Sequence, residues 1–476
     1  MSERTRRVLG TVGLACALSA CAVGPNYVRP PSPAPAQFSA AATEIYVERE
    51  TPAAFWSQFE DVTLDALVSD SLAANHDLRI ALARWREARA VHRETRFDLI
   101  PTVTASGGYT REELPSAQSF GLASELDERY YDAGFDASWE LDFFGRVRRG
   151  VEAARAETEG AEASLRDAQV SVTAEVARTY FELRGAQSEL EVAERNVANE
   201  RATLDLTASL LDAGRGTELD TSRAQAQLSS TLASIPPLES AVARSIHRLS
   251  VLTGRPPEAL SEQLRVRRAL PALPRLVAIS DPATLLRRRP DIRIAERALA
   301  ASSAEIGVAM GDLFPKVTFN GSFGYAAGSL GGLGESGTRQ YVIGPAITWA
   351  AFDLGRVRSR IDQAHARNDQ ALALYEQTVL RALEETENAL VSHARAREQL
   401  THVEREAQAS VTAAQIARAR YEGGMVGFLE VLDAERTQLT AEDQLAQSRT
   451  QTATSLIAVY KALGGGWQGA PLPHQR

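Results

Sequence analysis

The chain has 476 residues, a formal net charge of −9 and 44% hydrophobic residues. That is enough chain for a large core or two ordinary domains, and the acidic balance argues against a nucleic-acid partner, which would want a basic face. Both cysteines, Cys16 and Cys21, stand at the start, so a chain cut there keeps at most one and forms no disulfide.

The first twenty residues read as an export signal: Arg4, Arg6 and Arg7 precede an apolar run, Val8 to Leu18, too short to span a bilayer. Leu18-Ser19-Ala20-Cys21 resembles the lipobox of bacterial lipoproteins, which implies cleavage before Cys21 and its lipidation. Cys16 is the weaker acceptor, because Gly13 stands where the lipobox wants Leu. Ala22 follows, and not the Asp that retains some lipoproteins at the inner membrane, so the outer membrane is the expected address. From Ala22 to about Thr51 the Pro- and Ala-rich composition predicts an extended tether. Helical pattern begins near Leu64, is strong from Leu72 to Phe97 and stops before Pro101.

Strands are expected next. From Tyr131 to Phe143 one face carries Tyr131, Ala133, Phe135, Ala137, Trp139, Leu141 and Phe143, and the other Asp132, Gly134, Asp136, Ser138, Glu140 and Asp142. Period-two alternation also runs through Val103–Tyr109, Val317–Tyr325 and Tyr341–Ala351. A half-buried sheet in a soluble sandwich would alternate too. Length near ten, aromatic ends and export favour transmembrane barrel strands. Four strands cannot close a barrel, since small ones need about eight, so other copies of the chain must supply the rest. Between and after the strands come very long helices. Val147 to Asp212 contains no proline and would extend about 100 Å at 1.5 Å per residue; Val357 to Glu422 repeats it. Each ends at glycine (Gly214; Gly423-Gly424) and a shorter helix returns, to Gly254 and Gly464, forming an antiparallel hairpin. Pro236-Pro237 should kink the first return helix.

The chain is an internal duplication. Asp98-Leu99-Ile100-Pro101 is answered by Asp312-Leu313-Phe314-Pro315, and Trp139 by Trp349. Gly145-Arg146-Val147-Arg148 is answered 210 residues later by Gly355-Arg356-Val357-Arg358. Nothing in either copy asks for a cofactor. Gly332 to Gly337 fits G-x-G-x-x-G but lies between two strands with no helix to aim at a phosphate. The seven His show no metal spacing, and no nucleophile elbow is present. Asp132, Asp136, Glu140 and Asp142 are more simply the acidic wall of a pore than catalytic carboxylates. No enzyme and no metal site is expected.

With these residues in hand, the chain resembles the TolC-like outer-membrane factors, in particular the NodT-like lipoprotein branch serving RND-type multidrug efflux pumps. Cys21-Ala22-Val23-Gly24-Pro25-Asn26-Tyr27 is similar to that family's opening after the lipobox. Leu285-Leu286-Arg287-Arg288-Arg289-Pro290-Asp291-Ile292, Ala295-Glu296 and Leu313-Phe314-Pro315 resemble its recurrent segments. The resemblance implies a homotrimer: a twelve-stranded outer-membrane β-barrel, four strands per chain, continuing into a twelve-helix periplasmic α-barrel. A mixed equatorial belt would come from residues 38–70, 255–283 and 465–476. The expected order is a signal over 1–20, a lipid-anchored segment over 21–70, a first repeat over 71–280 and a second over 281–464, then a tail from 465 to 476. Within the repeats, strands are expected at 101–110, 130–143, 315–325 and 340–353, and hairpins at 147–254 and 356–464.

The resemblance also implies a passive channel whose partners are outer-membrane lipid, a periplasmic adaptor and an inner-membrane RND-type pump. The same duct could serve type I protein secretion or heavy-metal export, and a lipid-anchored scaffold without a pore is the reading from another class. In this family the periplasmic tip closes the tunnel, and its gate positions fall on Leu429, Asp433 and Arg436. Three symmetry-related Leu can plug an axis and three Asp form an acidic ring, with Arg436 expected to hold Asp433 through a helical i, i+3 pair. Leu219, Arg223 and Ala226 occupy the equivalent places of the first repeat, so its tip is expected to contribute less.

Overall fold

The computed structural model describes residues 22–31, 34–39, 44–113 and 127–467. Cys21, the signal segment and residues 468–476 lie outside them. Two compact units cut across the sequence repeat. Of the described residues, those up to Pro31, in Arg84–Ala161 and in Ile294–Glu376 make one; those in 34–83, Glu162–Arg293 and 377–467 make the other.

The first unit holds one antiparallel sheet, ordered β2-β3-β5-β6, of β2 (Thr102–Glu113), β3 (Asp127–Leu141), β5 (Lys316–Ala327) and β6 (Arg339–Thr348). Its register keeps the alternation in phase across all four strands. Asp136 lies opposite Thr104 and Ser322, while Ala137 lies opposite Val103 and Gly321. One face is therefore largely polar, Ala326, Val342 and Ala346 excepted, with Ser106 Oγ donating to Asp136 Oδ2 (3.2 Å) and Ser138 Oγ to Asn320 Oδ1 (3.0 Å). The other collects the aromatic and aliphatic side chains, including Phe135, Phe319, Phe323 and Ile343. A one-residue slip would exchange the two faces. The indole N–H of Trp139 donates to Leu99 O (3.1 Å) and that of Trp349 to Leu313 O (2.9 Å), so the two copies fasten their strand ends alike. The expected last strand was too long: β6 stops at Thr348 and residues 349–353 turn into the following helix. The glycine-rich run 332–337 sits in the β5–β6 loop, as its context required.

The N-terminal segment is seated in this same unit, on α3 (Arg146–Asp212) and α6 (Pro290–Gly311). Val23 N–H donates to Phe144 O (3.0 Å). The buried Arg149 guanidinium donates to Val23 O (3.1 Å), Gly24 O (3.2 Å) and Asn26 Oδ1 (2.8 Å). Gly24 has φ +92, and a Cβ there would stand 2.5 Å from Gly307 Cα, so only glycine fits. Tyr27 donates to Glu296 Oε1 (3.3 Å), and the Arg297 guanidinium stands 5.5 Å from its ring centre. The opening segment and Glu296, far apart in sequence, are two halves of one contact.

The second unit is largely helical. The helices α1 (Val62–Ala74) and α2 (His76–Phe97) lead in, and α4 (Glu218–Leu252), α7 (Leu354–Glu422) and α8 (Phe428–Ala462) complete the hairpins with α3. The long helices pass from one unit into the other. They come close enough that a Cβ on Gly185 of α3 would collide with the Thr450 side chain of α8. At Pro236-Pro237, where a kink is expected, α4 continues as one helix through both prolines. The carbonyls that lose their donors, those of Leu232 and Ala233, belong to exposed residues that water can satisfy. A two-stranded parallel ribbon, β1 (Tyr46–Glu48) on β4 (Val277–Ile279), and the short α5 (Pro282–Arg288) lie at the helix sides. Arg289, next to α5, explains the Arg-rich segment. It donates to Ala462 O at the α8 C-terminus (2.7 Å), to Asp291 (2.8 Å) and to Glu385 (2.6 Å), adding positive charge where the helix dipole is negative.

Candidate functional site

Both hairpin tips are made by the same turn chemistry. Gly214 (φ +70) and Gly424 (φ +72) end α3 and α7 in the left-handed conformation. In each case the next residue's N–H reaches back five positions: Arg215 to Leu210 O (2.8 Å) and Met425 to Arg420 O (2.9 Å). This is the glycine-terminated Schellman arrangement. The returns differ. Thr217 caps α4, accepting from Asp220 N, whereas Gly427 opens α8 without a side-chain cap.

Phe428, Val431 and Leu432 of α8 are buried with Ala224 of α4, against Leu204 and Tyr421. All four helices thus meet in one apolar knot, and the opposite stripe of α8 is left free. Leu429, Asp433 and Arg436, spaced i, i+4, i+7, share that exposed stripe; Leu429 is 58% exposed. The sequence expectation for their pairing fails. No ion pair joins Asp433 to Arg436 among the described residues. Arg436 Nε donates instead across to Gln227 Oε1 on α4 (2.9 Å). The neighbouring helix offers an acceptor at full side-chain reach, and the i, i+3 contact is not made. Leu219 is exposed like Leu429, and Arg223 and Ala226 follow it on α4.

Behind the stripe lies a polar network that sequence reasoning missed. Gln227 Nε2 (3.0 Å) and Thr231 Oγ1 (2.9 Å) both donate to Glu200 Oε1 on α3. Glu435, 9% exposed, accepts from Thr203 Oγ1 (3.0 Å) and from Arg418 of α7, which also donates to Thr203 (3.1 Å). Burial, with Glu435 adding like charge, lifts the Glu200 carboxyl above its usual range despite the two donors. The network ties α3, α4, α7 and α8 together one layer inside the apolar knot. Glu435 lies between the expected gate positions Asp433 and Arg436, but partners up to 232 residues away left no signal in the local sequence.

The strand carboxylates fall into two groups. Asp132 and Asp136 lie on the polar face of β3, beside Gly108 and Ser106. Glu140 is ion-paired to Arg146 (Nε–Oε1 2.8 Å). Asp142 is past the end of β3; it pairs with Arg148 (3.1 Å) and accepts from the N–H groups of Val147 and Arg148, capping α3. Two of the four acids are thus neutralised where strand passes into helix. Gly145, at φ +81, makes the turn that brings them to their arginines.

The profile of a family described as outer membrane efflux protein matches the chain twice, over residues 67–255 and 282–465. The chain is 31% identical to nodulation protein T of Rhizobium leguminosarum bv. trifolii, covering 94% of this chain and 95% of that protein. It is 31% identical to outer membrane protein OprJ of Pseudomonas aeruginosa, over 95% of each. The solved outer-membrane channel OprN superposes with a TM-score of 0.87 at 45% identity, over 94% of this chain and all of that one. Chains of this fold assemble as trimers, four strands from each closing a twelve-stranded barrel in the outer membrane with a helical barrel in the periplasm. A sheet whose two edges have no partner strand among the described residues, with in-phase faces and paired long hairpins, is what each subunit of such a channel must contribute, and the chain is a member of the outer membrane efflux protein family.

Proposed function

We propose that this chain is the exit duct of a tripartite efflux pump: an inner-membrane RND-type pump delivers substrate through a periplasmic adaptor to the helical tip, and the trimer conducts it outward without chemistry of its own. The observation that carries this reading is the in-phase sheet with two open edges, duplicated together with its hairpins. Such a sheet satisfies its backbone in hydrocarbon only by closing with other copies. Cys21 carries the lipid, and Asp132 and Asp136 give the barrel lumen an acidic wall that favours cations. Leu429, Asp433 and Arg436 form the periplasmic gate. Its closed form is held by two contacts behind the stripe, Arg436 on Gln227 and Arg418 on Glu435. Purified trimers in planar bilayers test the reading. Low, cation-selective conductance that rises on weakening the tip is expected, and no conductance under any condition would favour a scaffold without a pore.

A further inference from the structure

The two strand-to-helix joints share two arginine positions in unlike company. At the first, Arg146, Arg148 and Arg149 are matched by Glu140, Asp142 and Glu152, so the joint is neutral. The second keeps Trp349, Gly355, Arg356 and Arg358 at the 210-residue spacing but has Ala350 and Phe352 where Glu140 and Asp142 stood, while Asp362 stands in the place of Glu152. Arg360 replaces Gly150. Arg358 is exposed and has no hydrogen-bond or ion-pair partner among the described residues. Arg356 keeps an exposed pair with Asp353 (2.9 Å), and Arg360 (3.6 Å) shares Asp312 with Lys316 (3.5 Å). With Asp362 counted as Glu152 was, four cations stand against three carboxylates, and exposed pairs of this kind hold little energy. The surplus sits in the first two turns of α7, at the positive end of a helix with no acidic residue in its first turn. That placement is unfavourable unless an external anion completes it.

Two further observations say what the anion is attached to. Phe352 is fully exposed beside Trp349, itself half exposed, so an apolar surface borders the cations. At the first joint, a Cβ on Gly145 would meet Ala22 at 2.5 Å and the Arg148 guanidinium at 3.5 Å. Arg148 therefore lies beside the residue that follows the lipid-bearing position. The corresponding direction from Gly355 meets nothing within 4 Å. Within one chain, the first joint is covered by the chain's own N-terminal segment and the second is not.

We propose that the second joint binds the headgroup of an anionic phospholipid of the periplasmic leaflet, with the phosphate between Arg356 and Arg358 and acyl chain against Phe352 and Trp349. This rests on the barrel reading and on Cys21 marking the membrane side. Native mass spectrometry of detergent-solubilised trimers, titrated with phosphatidylglycerol or phosphatidylethanolamine, tests it. Wild-type trimers retain phosphatidylglycerol preferentially, one molecule per chain. R356Q/R358Q loses that preference by about fivefold for each guanidinium removed, the equivalent of about 1 kcal/mol per cation near an anionic surface. Ala350→Glu with Phe352→Asp restores the first joint's acids and loses it equally, with every arginine in place. No preference in the wild type overturns the proposal, as does unchanged retention in either variant that forms trimers. Displacement by millimolar inorganic phosphate overturns it in favour of a soluble anion. Altered anion conductance with lipid retention intact would place the arginines in the lumen and overturn it too.

Discussion

Replacing Arg418 by alanine strands the Glu435 carboxylate at the inner layer of the tip. Glu435 is 9% exposed, keeps only the Thr203 hydroxyl as donor, and lies close enough to the buried Glu200 to raise that group's pKa. A unit-charge pair at about 4 Å and an effective dielectric of about 20 is worth about 4 kcal/mol. The Arg418 side chain is one-third exposed, so solvent screening cuts this to about 2 kcal/mol. If the contact exists in the closed tip and is lost on opening, Arg418→Ala shifts the open-to-closed ratio about thirtyfold. The expected result is a larger mean single-channel conductance of the purified trimer. Adding Glu435→Gln removes the unpaired charge and should bring conductance most of the way back, which a general loosening of the hairpins would not do. Wild-type conductance in Arg418→Ala, with trimers intact, would refute the assignment of this pair to closure. Failure of Glu435→Gln to rescue would refute the electrostatic account of it.

Three further outcomes are expected. His393 is 1% exposed, its Nδ1 lies 3.0 Å from Ser455 Oγ, its Nε2 has no partner, and burial, reinforced by Arg397, pushes its pKa down to about 4. The native form holds the ring neutral, so stability is full above about pH 6.5 and falls by about 3 kcal/mol as pH drops toward 4; denaturation midpoints across that window should flatten in His393→Leu. Arg at Ala137, on the apolar face of β3, should impair assembly by roughly 2–4 kcal/mol per chain, whereas Asp136→Arg should assemble and turn selectivity toward anions; the reverse pattern in trimer yield means the facing is inverted. Cys21→Ser should abolish labelling by palmitate while trimers still form, because strand pairing supplies most of the membrane attachment; undiminished label places the lipid elsewhere.

The parts of the fold legible in the sequence were those with a short period. Alternation located β3 to within three residues at each end, and because side chains repeat every two positions it also fixed which residues share a face. The glycines at 214 and 424 marked the tips because a left-handed residue is costly for any other side chain. What stayed hidden depended on where a long side chain turns. Arg436 could reach Asp433 or Gln227 with equal ease on paper, and only the packed helices choose. Glu140 and Asp142 looked like pore acids because parity said nothing of a turn at Gly145 that folds Arg146 and Arg148 back onto them. Arg289 was recognisable as part of a recurrent segment, yet its work at the Ala462 carbonyl, 173 residues on, is a property of the packed molecule.

The two edge strands, β2 on one side of the sheet and β6 on the other, have a genetic consequence. Each subunit must offer both edges to its neighbours, so a chain with one sound edge and one damaged edge can still be recruited and then leaves the ring unclosed. Mixed with an equal amount of intact chain, such a subunit would leave only about one assembly in eight free of it if recruitment is random. A lesion confined to β2 or β6 should therefore behave as a dominant poison in cells carrying both alleles. One that prevents the chain from folding at all should remain silent, since it never reaches a partner.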